Sequence, residues 1–227
     1  MRLRVLVYNV RGFRDGLDRV TEVVVQARPD IVLLNETGSR HALRRFARDV
    51  QMRAAADPWS PITRRVKNAV LARSPWRIVD HRLHRFAGTD RLYPRGALLA
   101  HIGNAGRRAW VVSVHLGLRP VDRRRNAEEL ADLVRAFREP VVIGGDCNEL
   151  PEGRAIGFLS ERFWDAWLLG GDVAGETFPA SDPSARIDYL FVSEGIRVER
   201  VVVPGGELVR ATSDHRPVLV ELTLPEG

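Results

Sequence analysis

The spacing of apolar residues changes period several times along the chain, and each change marks a new element. Residues 3–10 read Leu-Arg-Val-Leu-Val-Tyr-Asn-Val, a β-rich run that ends on Asn9 and a turn at Gly12. Leu17, Val20, Val24 and Ala27 then recur at helical spacing behind a cap at Asp15, and Pro29-Asp30 closes that helix. Ile31-Val32-Leu33-Leu34 is a continuous apolar strand with Glu36 just past its end. The opening forty residues therefore predict strand, helix, strand, with a polar group at each strand tip. A right-handed crossover places both tips on one edge of a sheet.

A second helix over 39–50 turns Leu43, Phe46, Ala47 and Val50 inward. Residues 53–61, rich in Ala, Pro and Trp, predict a loop. The rhythm then shifts to short strands at 68–72, 77–82, 96–102 and 109–116, punctuated by Gly88, Pro94 and Gly103. Residues 120–137 return to helix, with Leu130, Leu133, Val134 and Phe137 as the apolar stripe. A strand at 140–145, a short helix at 152–161, an irregular stretch at 163–183 and strands at 186–192, 198–203 and 217–224 complete the chain. There is no low-complexity linker and no short repeat, so the order predicts two sheets with helices outside, in one domain spanning 1–227.

Candidate chemistry gathers where these runs end. Val141-Val142-Ile143 passes through Gly144 and Gly145 to Asp146-Cys147-Asn148. In an extended chain Asp146 and Asn148 share a face while Cys147 points back as a small apolar filler. A carboxylate beside a carboxamide suits a hard divalent cation, or the water next to one. Asn9, Glu36, His115, Asp188 and Asp214-His215 likewise interrupt or follow apolar runs, and a polar residue buried there needs a partner. Taken singly, each has a plain alternative. Asn9 can cap a turn, His115 can be a core histidine bonded to backbone, and Asp188 can pair with Arg186 or Arg216.

Composition narrows the class. At 227 residues, 44% hydrophobic and 28% charged, the chain can bury a full core. The net charge of +6 points to an anionic partner. All but one of its 35 basic residues are arginine, Lys67 being the exception, and the planar guanidinium can grip two phosphate oxygens at once. Cys147 is the single cysteine, which excludes an internal disulfide and a cysteine-based zinc site. The N-terminal residues carry no signal-peptide pattern and no run approaches eighteen apolar residues. The expectation is a cytoplasmic protein without membrane insertion; no obligate protein partner is inferable.

Six segments occur in order: Tyr8-Asn9-Val10-Arg11-Gly12, Leu34-Asn35-Glu36, Ser113-Val114-His115-Leu116, Gly145-Asp146-Cys147-Asn148, Arg186-Ile187-Asp188-Tyr189 and Ser213-Asp214-His215-Arg216-Pro217. Together they resemble the endonuclease/exonuclease/phosphatase superfamily of metal-dependent phosphoesterases, over essentially the whole chain. The resemblance implies a four-layer α/β sandwich, in which two packed, mainly antiparallel β-sheets are flanked by helices. It also implies Mg²⁺, or Mn²⁺ in its place, and in-line attack of water on phosphorus. By the same resemblance Glu36 is the principal metal ligand, with Asn9 and Asp214 helping the metal site. Asp146 orients or activates the water, and Asn148 holds the phosphate or a metal-bound water. His215 acts as base or phosphate contact, Asp188 fixes its tautomer, and His115 donates to a phosphate oxygen or the leaving group. Asn68 and Arg95 match positions near the substrate.

The chemistry is consistent with that implication. A phosphodiester repels hydroxide, so a cation must neutralise it and some group must aim the water. The Ser-Val-His-Leu form at 113–116 resembles the deoxyribonuclease, sphingomyelinase and phosphatase branches more than the abasic-site endonucleases. Trp59, Ile62 and Trp76 are scattered among prolines and arginines, which is poor material for a membrane-docking hairpin. The expected substrate is therefore DNA or RNA. The alternatives are a phosphorylated metabolite or lipid headgroup, and, in another class, a catalytically silent binding module of the same fold.

Overall fold

In the computed structural model every residue is described except Pro61, Thr89, Arg91, 172–174 and Gly227. β1 (Arg2–Asn9) crosses through α1 (Leu17–Ala27) to β2 (Ile31–Asn35), which lies parallel to it with Asn9 opposite Asn35. Asp15 does not cap α1. Gly16 occupies that position without a side-chain bond, and the Asp15 carboxylate instead receives the Arg11 guanidinium. α2 (Arg40–Asp49) starts as expected, with Ser39 Oγ accepting the Ala42 N–H at 3.0 Å.

The first sheet has the order β11-β12-β1-β2-β4-β3, with β3 (Arg53–Ala56), β4 (Ala69–Ala72), β11 (Arg197–Val202) and β12 (Val218–Thr223). β3 lies in the segment expected as loop, of which Pro61 falls outside the described residues. Alanine has little intrinsic strand preference, but the open edge of β4 supplies a partner, with Ala54 opposite Leu71. The second sheet has the order β5-β6-β7-β8-β10-β9. Its strands are β5 (Arg77–Arg85), β6 (Gly96–Asn104), β7 (Arg107–His115), β8 (Val141–Asp146), β9 (Trp164–Asp165) and β10 (Asp188–Val192). α3 (Pro120–Val134) and α4 (Arg154–Ser160) cover it. β9 and α5 (Ala166–Gly170) give structure to part of the stretch expected to be irregular, and α6 (Glu207–Arg210) precedes β12. Among the described residues each sheet holds one parallel pair, β1–β2 or β7–β8, and its other pairings are antiparallel.

Period-two alternation sorts the strands into layers. Val5, Val7, Leu33 and Val70 of the first sheet meet Leu98, Val111, Val142 and Leu190 of the second. Leu6, Tyr8, Val32 and Leu34 face the other way, under α1 and α2, and Leu99, Val112, Val114 and Ile143 face α3 and α4. At Gly144 β8 approaches the first sheet too closely to admit a side chain. A Cβ there would lie 2.6 Å from Val7 Cγ2 and 2.9 Å from Leu33 Cδ1. The result is helices, sheet, sheet, helices. No helix among the described residues is long and apolar enough to cross a membrane.

Candidate active site

The parallel pairs end at the same edge of the sandwich. Asn9 and Asn35 close β1 and β2, while His115 and Asp146 are register partners at the ends of β7 and β8. Antiparallel β10 begins there, with Asp188 opposite Asp146.

A buried amide seam joins the two sheets. Asn35, fully buried, donates through Nδ2 to the Val114 carbonyl at 2.9 Å and to Asn68 Oδ1 at 3.2 Å. Its Oδ1 accepts the Asp146 N–H at 2.9 Å. Asn68 Nδ2 in turn donates to the carbonyls of Gly96 at 3.0 Å and Ser113 at 2.9 Å. Asn68, expected to meet substrate, is thus fully buried with its amide engaged inside the protein. Asn35 went unassigned at the sequence level because a polar residue next to Glu36 reads as an ordinary strand tip.

Asp146 stands at the centre. Its Oδ2 accepts Asn9 Nδ2 at 3.0 Å and lies 3.3 Å from His115 Nε2 and 3.8 Å from His215 Nε2. Its Oδ1 accepts the Asn148 N–H at 2.9 Å. Burial alone would raise this carboxyl, but His115, His215 and the Asn148 N–H outweigh it and hold it well below the usual carboxylate range. His115 Nδ1 sits 3.2 Å from the Arg95 guanidinium. Arginine has no acceptor, so Nδ1 accepts and Nε2 carries the proton toward Asp146.

His215 Nδ1 meets Asp188 Oδ2 at 2.8 Å, and the same oxygen accepts the Thr177 hydroxyl at 2.6 Å. Thr177 Oγ1 accepts in return the N–H groups of Asp188 at 3.3 Å and Ile187 at 3.4 Å, and Phe178 packs on the His215 ring with centroids 5.0 Å apart. Burial would lower the imidazole, yet Asp188 and then Asp146 push it up to about 10, so it carries its proton at neutral pH. The plain alternatives for Asp188 do not occur: Arg186 pairs with Asp165 at 2.7 Å and Arg216 Nε donates to the Ala180 carbonyl. Thr177 and Phe178 lie in an aperiodic stretch, and no pattern in the sequence singles them out.

The remaining candidates differ in placement. The chain does not stay extended after Asp146: Asn148 has φ +52, and its amide donates to the Leu116 carbonyl at 3.1 Å rather than lying beside the carboxylate. Cys147 is buried in the core under α3 and α4, and burial followed by nearby carboxylates raises its thiol. Asn9 Oδ1 accepts the Arg11 N–H at 3.1 Å. Asp214 turns outward to an ion pair with Arg11 at 3.3 Å. Glu36, half-buried at φ +54, makes no side-chain hydrogen bond or ion pair among the described residues and lies within electrostatic reach of Arg95. Burial lowers the Arg95 guanidinium, against the opposing pull of Asp146, Glu36 and Asp90.

This donor set fits a divalent ion. Asp146 and Asp188 present carboxylate oxygens within 4.8 Å of each other, and Asp188 Oδ1 is buried with no hydrogen-bond partner among the described residues; His215 lies within the same distance but, protonated, offers the ion no lone pair. Oxygen donors of this kind suit a hard cation.

The sequence matches the model of the Endonuclease/Exonuclease/phosphatase family over residues 6–215. No curated protein matches it. Among solved structures, an endonuclease/exonuclease/phosphatase from Bacteroides vulgatus superposes with TM-score 0.87 at 19% identity, covering 99% of both chains. A humanized TDP2 of D. rerio gives 0.82 at 17% identity, over 98% of this chain and 99% of that one. A mannosyl-6-phosphatase of Bacteroides thetaiotaomicron gives 0.80 at 21% identity, over 98% and 100%. At such identities the likeness is one of fold.

Proposed function

The chain belongs to the Endonuclease/Exonuclease/phosphatase family, and from that premise we propose that residues 1–227 act as one Mg²⁺-dependent phosphodiesterase domain, able to use Mn²⁺, that cleaves DNA or RNA in the cytoplasm. The observation that carries the reading is the convergence on Asp146 Oδ2 of Asn9 from one sheet and His115 from the other, with His215 close by. Three side chains from distant stretches of sequence are held there around one ionised carboxylate.

In this reading Glu36 would hold the ion, with Asn9 contributing from the end of β1 and Asp214 from the segment that leads into β12. The bound ion supplies charge neutralisation of the phosphate. Asp146, kept ionised by its donors, accepts a hydrogen bond from the attacking water and aims it at phosphorus. His215, already protonated, donates to a phosphate oxygen, which selects the phosphate-contact role over the base role. Asp188, steadied by Thr177, fixes the orientation of the His215 ring. His115 donates from Nε2 to the phosphate or the leaving oxygen once substrate competes for Asp146. Asn148 and Arg95 complete the phosphate grip, and Asn68 acts on substrate through the strand ends it ties together. The basic surface favours a polyanion, with a net charge of +6.

A second reading keeps this chemistry on a small phosphorylated metabolite, supported by the fold shared with the mannosyl-6-phosphatase. Supercoiled plasmid, single-stranded oligonucleotides and sugar phosphates, each incubated with Mg²⁺ and with chelator, separate the two. Nucleic-acid cleavage that stops with chelator, and falls at least ~100-fold in Asp146→Asn, is the expected result. Turnover of sugar phosphates alone would transfer the assignment to the second reading. A folded protein inert toward every substrate and metal would favour a binding module.

A further inference from the structure

Arg95 faces two ways. Its guanidinium reaches His115 Nδ1, and it also forms one wall of a cleft of about 600 Å³ between the β5–β6 loop and the start of α3. That volume is in the range of pockets for nucleotide-sized ligands. Tyr93 and Leu118 line the same cleft, and they are 68% and 66% exposed. Neither contributes to a core cluster, so the fold does not account for two large apolar side chains at the mouth of a polar site.

The polar groups of the cleft are occupied in an informative way. Asp90 accepts the N–H groups of Leu92 at 2.6 Å and Tyr93 at 3.3 Å, which fixes the backbone carrying the tyrosine. Asp122 is gripped by Arg119 at 2.7 and 3.0 Å and by Arg125 at 3.0 Å. Asp122 is thus engaged through both oxygens and Asp90 through Oδ1, so only part of one carboxylate remains to accept the hydroxyls of a sugar or polyol. What the cleft offers instead is an aromatic face, an aliphatic face and the cationic groups Arg95 and Arg119.

We propose that this cleft, walled by Tyr93 and Leu118 and joined to the catalytic centre through Arg95, is the subsite for the base of a nucleoside phosphate. The inference rests on the phosphoesterase reading for the position of the phosphate and adds the group attached to it. A planar ring stacks between Tyr93 and Leu118, while Arg95 and Arg119 meet the phosphate end. Stacking of this kind accepts any base, because each presents a π-face. A free nucleotide and the end of a strand present the same chemistry.

The test is calorimetric titration of Asp146→Asn protein in Mg²⁺ with a nucleoside 5′-monophosphate and with ribose 5-phosphate. Two oligonucleotides, one with a base and one with an abasic residue beside the susceptible linkage, are titrated in parallel. The base-bearing ligand of each pair should bind about tenfold tighter. Tyr93→Ala and Leu118→Ser should each shrink that ratio about threefold, and the double variant should bring it close to one. A preference confined to the oligonucleotide pair identifies the strand end as the source; one present in both pairs identifies the nucleotide itself. Equal affinity within both pairs, or a ratio that survives the double substitution, overturns the assignment. Hydrolysis by unsubstituted protein separates the two readings. Cleavage without base preference removes the subsite alone. Base preference without cleavage of any phosphoester removes the hydrolase reading and leaves the subsite.

Discussion

The substitution Asn35→Leu tests whether the amide seam holds the catalytic edge together. Leucine keeps the branched outline of asparagine with bulkier tips, so the change removes hydrogen bonding without opening a cavity. It leaves the Asp146 N–H, the Val114 carbonyl and Asn68 Oδ1 without their Asn35 partner; Ser113 Oγ loses a longer contact at 3.4 Å and keeps its bond to the Leu34 carbonyl. Each unsatisfied buried group costs ~1–3 kcal/mol. The added apolar side chain returns about 2 kcal/mol when fully buried. At the middle of that range the net loss is about 4 kcal/mol, or roughly 8–16 °C in Tm for a chain of this size. The assay is urea unfolding followed by far-ultraviolet dichroism, with the m-value compared so that a changed denatured state is recognised. Asp146 also loses a backbone tether from the opposite sheet. A displacement of about 1 Å costs on the order of 100-fold in rate, so kcat should fall well beyond any change in KM. A midpoint within experimental error of the unsubstituted protein, at unchanged m, would show that the seam bonds contribute nothing net and would refute the reasoning.

Three other outcomes are expected. Glu36→Gln should raise the Mg²⁺ concentration needed for half-maximal activity more than tenfold while Tm stays put, since that carboxylate makes no side-chain hydrogen bond or ion pair among the described residues; metal titration with parallel melting curves checks both. His215→Ala strands Asp188 in the interior and should cost ~3–5 kcal/mol in addition to activity, read by calorimetry. The His215 imidazole is raised from 6.5 to about 10. Its proton therefore stabilises the folded chain fully below pH 6.5, and the contribution is lost as pH rises through 10. In chelator, unfolding free energies at pH 6 and pH 10 should differ by on the order of 3 kcal/mol, and Asp188→Asn should flatten that dependence.

How far the chain can be read unaided depends on whether a residue's surroundings are local. β1, β2 and β8 are legible because an apolar run stops at a polar residue and a turn, and that stop also marks Asn9, Glu36 and Asp146. α2 is legible because Ser39 caps a periodic stripe. β3 is not, because Ala54 and Ala55 become strand only through the edge that β4 lends them. Asp15 fails as a cap because Arg11 competes for its carboxylate. Asn148 departs from the extended path because its N–H turns back to Asp146. Asn35 and Thr177 escape notice for one shared reason: their partners, Val114 and Asp188, are 79 and 11 residues away and belong to other strands.

The placement of the site follows from the way the sheets are wired. In each order the parallel pair occupies the third and fourth places, so two neighbouring strands in the middle of each sheet end at the same edge. Asn9 and Asn35 finish that pair in one sheet, His115 and Asp146 in the other. The strand on either side runs the opposite way and must therefore begin at this edge. His215 stands just before β12 and Asn68 just before β4; Arg95 precedes β6, and Asp188 opens β10. Each sheet thus contributes two strand ends and two strand beginnings. A wholly antiparallel sheet would alternate ends and beginnings and set its strand ends two strands apart, about 9–10 Å at ordinary spacing. One parallel neighbour per sheet brings them to a single spacing. It is this pairing, repeated in both layers and pressed together at Gly144, that allows Asp146 to reach Asn9 across the interface and His115 within its own sheet.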